Sequence, residues 1–283
     1  MKKLCAVLCL SCGLCFGQRG ELDISFLGSN AVHLVVKEGE VGDAIQAVAA
    51  LENGAFEHYN GFWWENLLPS DPATCAAQVS ADWSFEYLRA ILVLKNTGVK
   101  FYNGLSWEEL HDSGWSRGIS QLSVDWTYER PGIVLGLKDG ALQYYNGRIW
   151  KELQNSGWGE EITSLDVSWG WFDPLLVLGL EGGDIMYYDG KSDSWYELLD
   201  NRLGSAATQI SVEFWKKDKL RIVAGLKNGS VIFFDGENWQ ELDAPLLDDP
   251  ISSMSVDWKE GMPPRIVCVQ GQCIHHFDGE EWK

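Results

Sequence analysis

The sequence predicts an all-β fold made of six copies of one four-stranded antiparallel unit, and three observations carry that prediction. First, a phrase recurs: "HYNGFWWENL" (58–67), "FYNGLSWEEL" (101–110), "YYNGRIWKEL" (144–153), "YYDGKSDSWYEL" (187–198), "FFDGENWQEL" (233–242) and "HFDGEEWK" (276–283). Its turn glycines, Gly61, Gly104, Gly147, Gly190, Gly236 and Gly279, are spaced 43, 43, 43, 46 and 43 residues apart. Second, an apolar run ending in a turn precedes each tail, as in "AVAALENG", "IVLGLKDG", "LLVLGLEGG" and "RIVAGLKNG", with Gly supplying the positive φ of a tight hairpin. Third, a further strand-like segment precedes that run: "QVSADW", "ISQLSVDW", "ITSLDVSW", "TQISVEFW" and "ISSMSVDW". Each unit thus holds four short segments rich in Val, Ile, Tyr and Trp between Gly, Asn and Asp turns, and no amphipathic helix of useful length appears. A period of about 43 residues with four strands per unit is the signature of a β-propeller, here with six blades.

The two ends of the chain complete one another. Residues 241–256, "ELDAPLLDDPISSMSV", align without a gap on residues 21–36, "ELDISFLGSNAVHLVV", so the N-terminal segment supplies the "EL" that should follow Trp282 and Lys283. The expectation is a ring whose last blade is shared by the two termini, which removes a free sheet edge. The start "MKKLCAVLCLSCGLCFG" has two lysines, an apolar run and small residues at Cys15 and Gly17, and reads as a secretory signal over 1–17. Residues 18–283 then form a single propeller domain, secreted or periplasmic. A lipoprotein signal ending at Cys12 is the second choice.

The repeat phrase resembles the repeats of two-component-regulator propellers and, more loosely, of the tectonin and tachylectin group of propeller lectins. The resemblance covers residues 21–283 and specifies a blade rather than a chemistry. For lectins of that group it implies sugar binding.

Charge narrows the partners. The chain carries 22 Lys and Arg against 41 Asp and Glu, a net charge of −19, and removing Lys2 and Lys3 with the signal leaves 20 against 41, or −21. Nucleic acid and anionic membrane surfaces need clusters of Lys and Arg that this chain lacks. Of seven cysteines, only Cys75, Cys268 and Cys273 lie beyond the signal, too few for a four-cysteine zinc site; "CVQGQC" leaves a cross-strand disulfide open to Cys268 and Cys273.

No catalytic motif is found. There is no "G.S.G" elbow, no "HE..H" and no "D.D.DG" loop, and His33, His58, His111, His275 and His276 have no metal spacing. Sialidases share a six-bladed ring, but Arg89, Arg221 and Arg265 precede the second strands of their units and read as edge or surface residues. No cofactor and no metal is expected.

Trp64, Trp107, Trp150, Trp195, Trp239 and Trp282 recur at one position, and Trp83, Trp126, Trp169 and Trp258 at another, where unit five has Phe214. A residue present in every unit packs first between blades. The alternative is a ring of sugar sites pairing each Trp with Glu109, Glu152, Glu197, Glu241 or Glu21, Asn66 standing there in unit one. Trp63, Trp115, Trp158 and Trp171 break the repeat. Trp115 and Trp158 lie in matched connections, "HDSGWSRG" and "QNSGWGEE", which should share a face with the turn bearing Asp139. With Arg117 and Glu160 they define the candidate ligand site, aromatic anchors beside polar groups. The expected function is a binding module with a glycan as the leading ligand; an acidic surface holding a protein partner and a hydrolase or lyase using channel carboxylates are the alternatives.

Overall fold

The computed structural model describes residues 27, 31–37, 45–70, 76–84, 87–95, 98–112, 118–154, 156–169, 174–199, 204–215, 219–242, 249–259 and 261–283 of the chain. The signal-like segment and residues 18–26, assigned above to ring closure, lie outside the described residues. The chain divides into two compact units, 1–126 and 127–283.

In the first unit β1 (Ala31–Lys37), β2 (Gln46–Leu51), β3 (Phe56–Tyr59) and β4 (Trp64–Leu68) make one sheet. The next sheet consists of β5 (Ala76–Asp82), β6 (Arg89–Leu94), β7 (Gly98–Tyr102) and β8 (Trp107–Asp112), and β9 (Ile119–Asp125) follows. The second unit continues with β10 (Gly132–Leu137), β11 (Leu142–Tyr145) and β12 (Trp150–Gln154). Then come β13 (Ile162–Ser168), β14 (Leu175–Leu180), β15 (Ile185–Asp189) and β16 (Ser194–Leu199), and after them β17 (Ala207–Trp215), β18 (Lys219–Leu226), β19 (Val231–Phe234) and β20 (Trp239–Leu242). The last sheet has β21 (Ile251–Asp257), β22 (Arg265–Gln270) and β23 (Cys273–Phe277). Strands pair in chain order throughout, giving six sheets, five of four strands and the last of three, where Phe277 bridges Trp282 in place of a fourth strand. Two of the three extra residues behind the 46-residue spacing lengthen the β15–β16 hairpin, which places Asp193 at φ 50°.

The second strands β2, β6, β10 and β14 are almost wholly buried apolar runs, as burial on both faces requires, whereas β22 alternates and leaves Val267 exposed. Val48, Ala50 and Phe56 of the first sheet pack with Ala90, Leu92 and Leu94 of the second. Val177 and Ile185 pack with Ile222 and Ala224, and Val223, Val231 and Phe233 with Ile251, Ile266 and Phe277. Each Val, Leu, Ile or Phe side chain among these contributes about 1.5–3 kcal/mol when removed from water.

The first strands join neighbouring sheets through a shared irregularity. β1, β5, β13, β17 and β21 each slip register after their first residue. Side chains at the slip reach the next sheet's backbone: His33 Nε2 bonds Ala77 O, Gln78 Nε2 donates to Ser120 O (2.5 Å), Thr163 Oγ1 to Ala207 O (2.7 Å) and Thr208 Oγ1 to Ile251 O (2.6 Å). Gly179 and Gly225 make room for this approach, since a Cβ would lie 2.9 Å from Ala207 Cβ and 2.7 Å from Ile251 Cγ2.

Candidate ligand-binding end of the third and fourth sheets

Of the residues proposed from sequence, Trp158, Glu160 and Asp139 are described and Trp115 and Arg117 lie outside the described residues, as does Trp171. The described three come together. A short 3₁₀ turn, Ser156–Trp158, leads from β12 towards β13. The β10–β11 turn lies against it: a Cβ on Gly140, itself at φ 84°, would sit 2.8 Å from Glu160 O and 3.4 Å from Trp158 Cβ. Asp139 Oδ1 accepts from Ala141 N at 3.2 Å, which fixes that turn, and Glu160 Oε2 accepts from Gly182 N at 2.9 Å in the β14–β15 turn. The connection and the two hairpin turns therefore share one end of their sheets, as the repeat implied.

Trp158 is half-buried. Its indole packs edge-on against Trp195, centroids 4.8 Å apart at 90°, and joins the core around Leu153, Ile162 and Tyr188. It is an anchored ring with a partly open surface. The two turns and the connection carry Asp139, Glu160, Glu161, Glu181 and Asp184, with Lys138 the one base among their described residues.

The repeated tryptophans are packing groups. Each outer Trp pairs across its sheet with a Tyr or Phe: Tyr59–Trp64, Tyr102–Trp107, Tyr145–Trp150, Tyr188–Trp195, Phe234–Trp239 and Phe277–Trp282, at 4.9 to 5.4 Å. Trp107, Trp195 and Trp239 also donate Nε1 to the preceding sheet, at Leu67 O, Leu153 O and Leu198 O. At the inner position Trp126 Nε1 donates to Ser80 Oγ (3.1 Å) and Trp258 Nε1 to Ser211 Oγ (3.2 Å).

The reading of Arg89 and Arg221 as edge or surface residues is corrected. Arg89 is 1% exposed, bonds Asp82 Oδ2 and Trp126 O at 2.8 Å each, and lies 5.1 Å from the Trp126 ring centroid. Arg221 bonds Glu213 Oε2 at 2.7 Å and Met262 O at 2.5 Å, and stacks 5.1 Å over Trp258. A guanidinium tolerates such burial because a carboxylate, a carbonyl and an aromatic face all meet it. Arg265 is exposed. The disulfide left open by sequence does not form: Cys268 is buried and opposite His275, Cys273 is exposed and opposite Gln270, and both are free. Burial pushes the Cys268 thiol up to about 11.

Sequence reading passed over Asp166, which occupies the place of Ser80 and Ser211 in its strand. Its Oδ2 accepts from Val212 N at 2.7 Å and its Oδ1 from Val167 N at 2.8 Å, and burial holds its carboxyl above the ordinary carboxylate range against those two bonds. Among the described residues no group of three or more His, Cys, Asp and Glu could hold a metal ion, and no helix is long and apolar enough to cross a membrane.

This architecture defines the class: the chain has the β-propeller fold, and its similar solved structures are β-propellers. YCF48 bound to D1 peptide matches with TM-score 0.60 and 13% identity over 88% of both chains. BBS1N in complex with ARL6DN matches with TM-score 0.61 and 10% identity, over 88% of this chain and 78% of that one. Sqt1 of Saccharomyces cerevisiae matches with TM-score 0.59 and 15% identity, over 82% of this chain and 67% of that one. No family model and no curated protein matches the sequence.

Proposed function

We propose that the protein is an exported, non-catalytic binding propeller whose loop end at the third and fourth sheets holds a Lys- or Arg-bearing segment of a partner protein. The observation that carries this reading is the five acids against one base in the connection and turns that hold the anchored Trp158 indole, which suits a segment carrying both charge and an apolar side chain. The polar groups there serve as turn caps, an arrangement for positioning rather than for proton transfer. The same fold in YCF48 holds a D1 peptide and in BBS1N an ARL6DN chain. The six sheets close into one ring in this reading. A glycan is the second reading, favoured by the open part of the Trp158 ring beside Glu160.

The test is a titration of residues 18–283 with dye-labelled 12-residue peptides of Lys and Phe, and with Glu and Phe as control. The Lys–Phe peptide should bind and weaken about tenfold in Trp158→Ala with Glu160→Gln, at unchanged melting. Full binding by that well-folded variant sinks the site. A glycan array read with the same pair decides for the second reading if sugar binding is what is lost.

A further inference from the structure

At the opposite end of the sheets, the hairpin tips of the two units differ in a way folding does not demand. The residue after the turn glycine is Phe62 or Leu105 in the first unit and Arg148, Lys191, Glu237 or Glu280 in the second. The turn itself is the same device. Asn60 Oδ1 caps the N–H groups of Phe62 and Trp63, Asn103 Oδ1 those of Leu105 and Ser106, and Asn146, Asp189, Asp235 and Asp278 act alike beneath the charged tips. An apolar tip adds nothing to that turn.

The first unit nevertheless exposes four such side chains at this end, Phe62, Trp63, Leu105 and Tyr87, which are 77, 60, 91 and 41% exposed, against Ile149 and Tyr128 in the second. Tyr87, from the β5–β6 connection, lies on the β7–β8 hairpin so closely that a Cβ on Gly104 would collide with its ring. Trp63 is held in place, its Nε1 donating at 2.9 Å to Glu65 Oε1, which also accepts from Asn60 Nδ2 at 2.7 Å. Phe62 lies beside it, ring centroids 6.0 Å apart. With their backbone N–H groups already capped and the indole N–H paired, these tips can leave water at little polar cost. Glu65 gives the patch its charge, and the His58 across the strand from it is held towards its neutral form by burial, so it does not cancel that charge.

From this we infer that the hairpin end of the first unit is a docking surface for a partner protein that offers an apolar groove rimmed by Lys or Arg. Projecting tips need a concave partner, and a carboxylate at their base, on a chain of net charge −19, needs a basic rim. The surface is independent of the Trp158 site, being built from other residues, in the other unit.

The probe is an apolar cavity of each rim chemistry: β-cyclodextrin and its per-6-amino derivative, titrated calorimetrically into residues 18–283 at low salt, beside sedimentation with phosphatidylcholine vesicles. The amino derivative should bind several-fold tighter than the neutral one. That binding should fall about tenfold in Phe62→Ser/Trp63→Ser/Leu105→Ser, the amine preference should vanish in Glu65→Gln, and Trp158→Ala should change neither. Equal binding by the triple variant and the parent, or no amine preference in the parent, overturns the inference. Vesicle sedimentation that the triple variant loses overturns it in favour of a lipid surface. Leu105→Ser alone, at a side chain 91% exposed, keeps the test open if the triple variant melts early.

Discussion

Two seams within the second unit fill the same place with opposite chemistry. Between β17 and β21 the aromatic is Trp258, its N–H taken by Ser211 and its face covered by Arg221. Between β13 and β17 the aromatic is Phe214, which has no N–H to offer, and Ser is replaced by Asp166, whose carboxylate turns instead to the Val212 backbone. The aromatic ring is common to both; what changes is how the polar atoms beneath it are satisfied. The first unit supplies two further cases. Trp126 repeats the Ser and Arg solution with Ser80 and Arg89, whereas Trp83 faces a strand with Val35 in the serine's place, and its buried Nε1 has no partner among the described residues. Shape is conserved between seams, and hydrogen bonding is solved locally.

The comparison can be broken most severely at Arg89. Replacing it with Met leaves Asp82 buried beside an uncharged chain and should cost about 3–5 kcal/mol in chemical denaturation. Arg221→Met should cost less, because Glu213 keeps some access to water. Equal losses at both sites would show that burial does not set the difference. Next in size, Trp258→Phe removes one N–H bond and orphans Ser211, for about 1 kcal/mol by the same measurement. The paired exchange Asp166→Ser with Phe214→Trp sharpens the point, since it transplants one solution into the other seam and should fold with a melting temperature near the parent's.

The smallest effect depends on pH. Burial raises the folded Asp166 carboxyl above its ordinary 3.8, so the folded chain holds this proton more firmly than the unfolded one. Its favourable contribution is complete below 3.8 and is lost as pH climbs through the folded value. Asp166→Asn should therefore gain on the parent as pH rises from 3.5 to 7, read as melting curves at both ends. A constant difference across that range would remove the carboxylate from the account.

Most of the fold was legible because it is written in local spacing. A tryptophan after each hairpin and glycine at each turn recur at fixed intervals, and the glycine before the second turn, Gly179 or Gly225, repeats with them. The buried arginines were not legible. Arg89 begins a strand, where charge ordinarily marks an edge, and the ring that covers it is Trp126, on the next sheet. Contacts across sheets leave no periodic trace. The cysteine pair failed for a matter of register: the hairpin closes on Gln270 and Cys273, which sets Cys268 against His275. The Trp158, Glu160 and Asp139 cluster was readable from which turns share an end, but the edge-on contact with Trp195 was not. The apolar tips did leave a signal, the residue after each turn glycine, which appears only when the six tails are compared at that position.

The bonds between sheets also have a direction. At the slipped starts of the first strands, the side chain belongs to the earlier sheet and the carbonyl to the later: His33 to Ala77, Thr163 to Ala207, Thr208 to Ile251. At the tryptophans the order reverses, with Trp107 reaching back to Leu67 and Trp239 to Leu198. A sheet thus has a leading and a trailing face that are not interchangeable, and two copies can meet only head to tail. Association of that heterologous kind ends only where the rotation brings the last copy round to the first. A duplicated 43-residue stretch arrives with a trailing face ready for its predecessor and a leading face ready for its successor, so such a chain can grow by whole sheets without inventing a new interface.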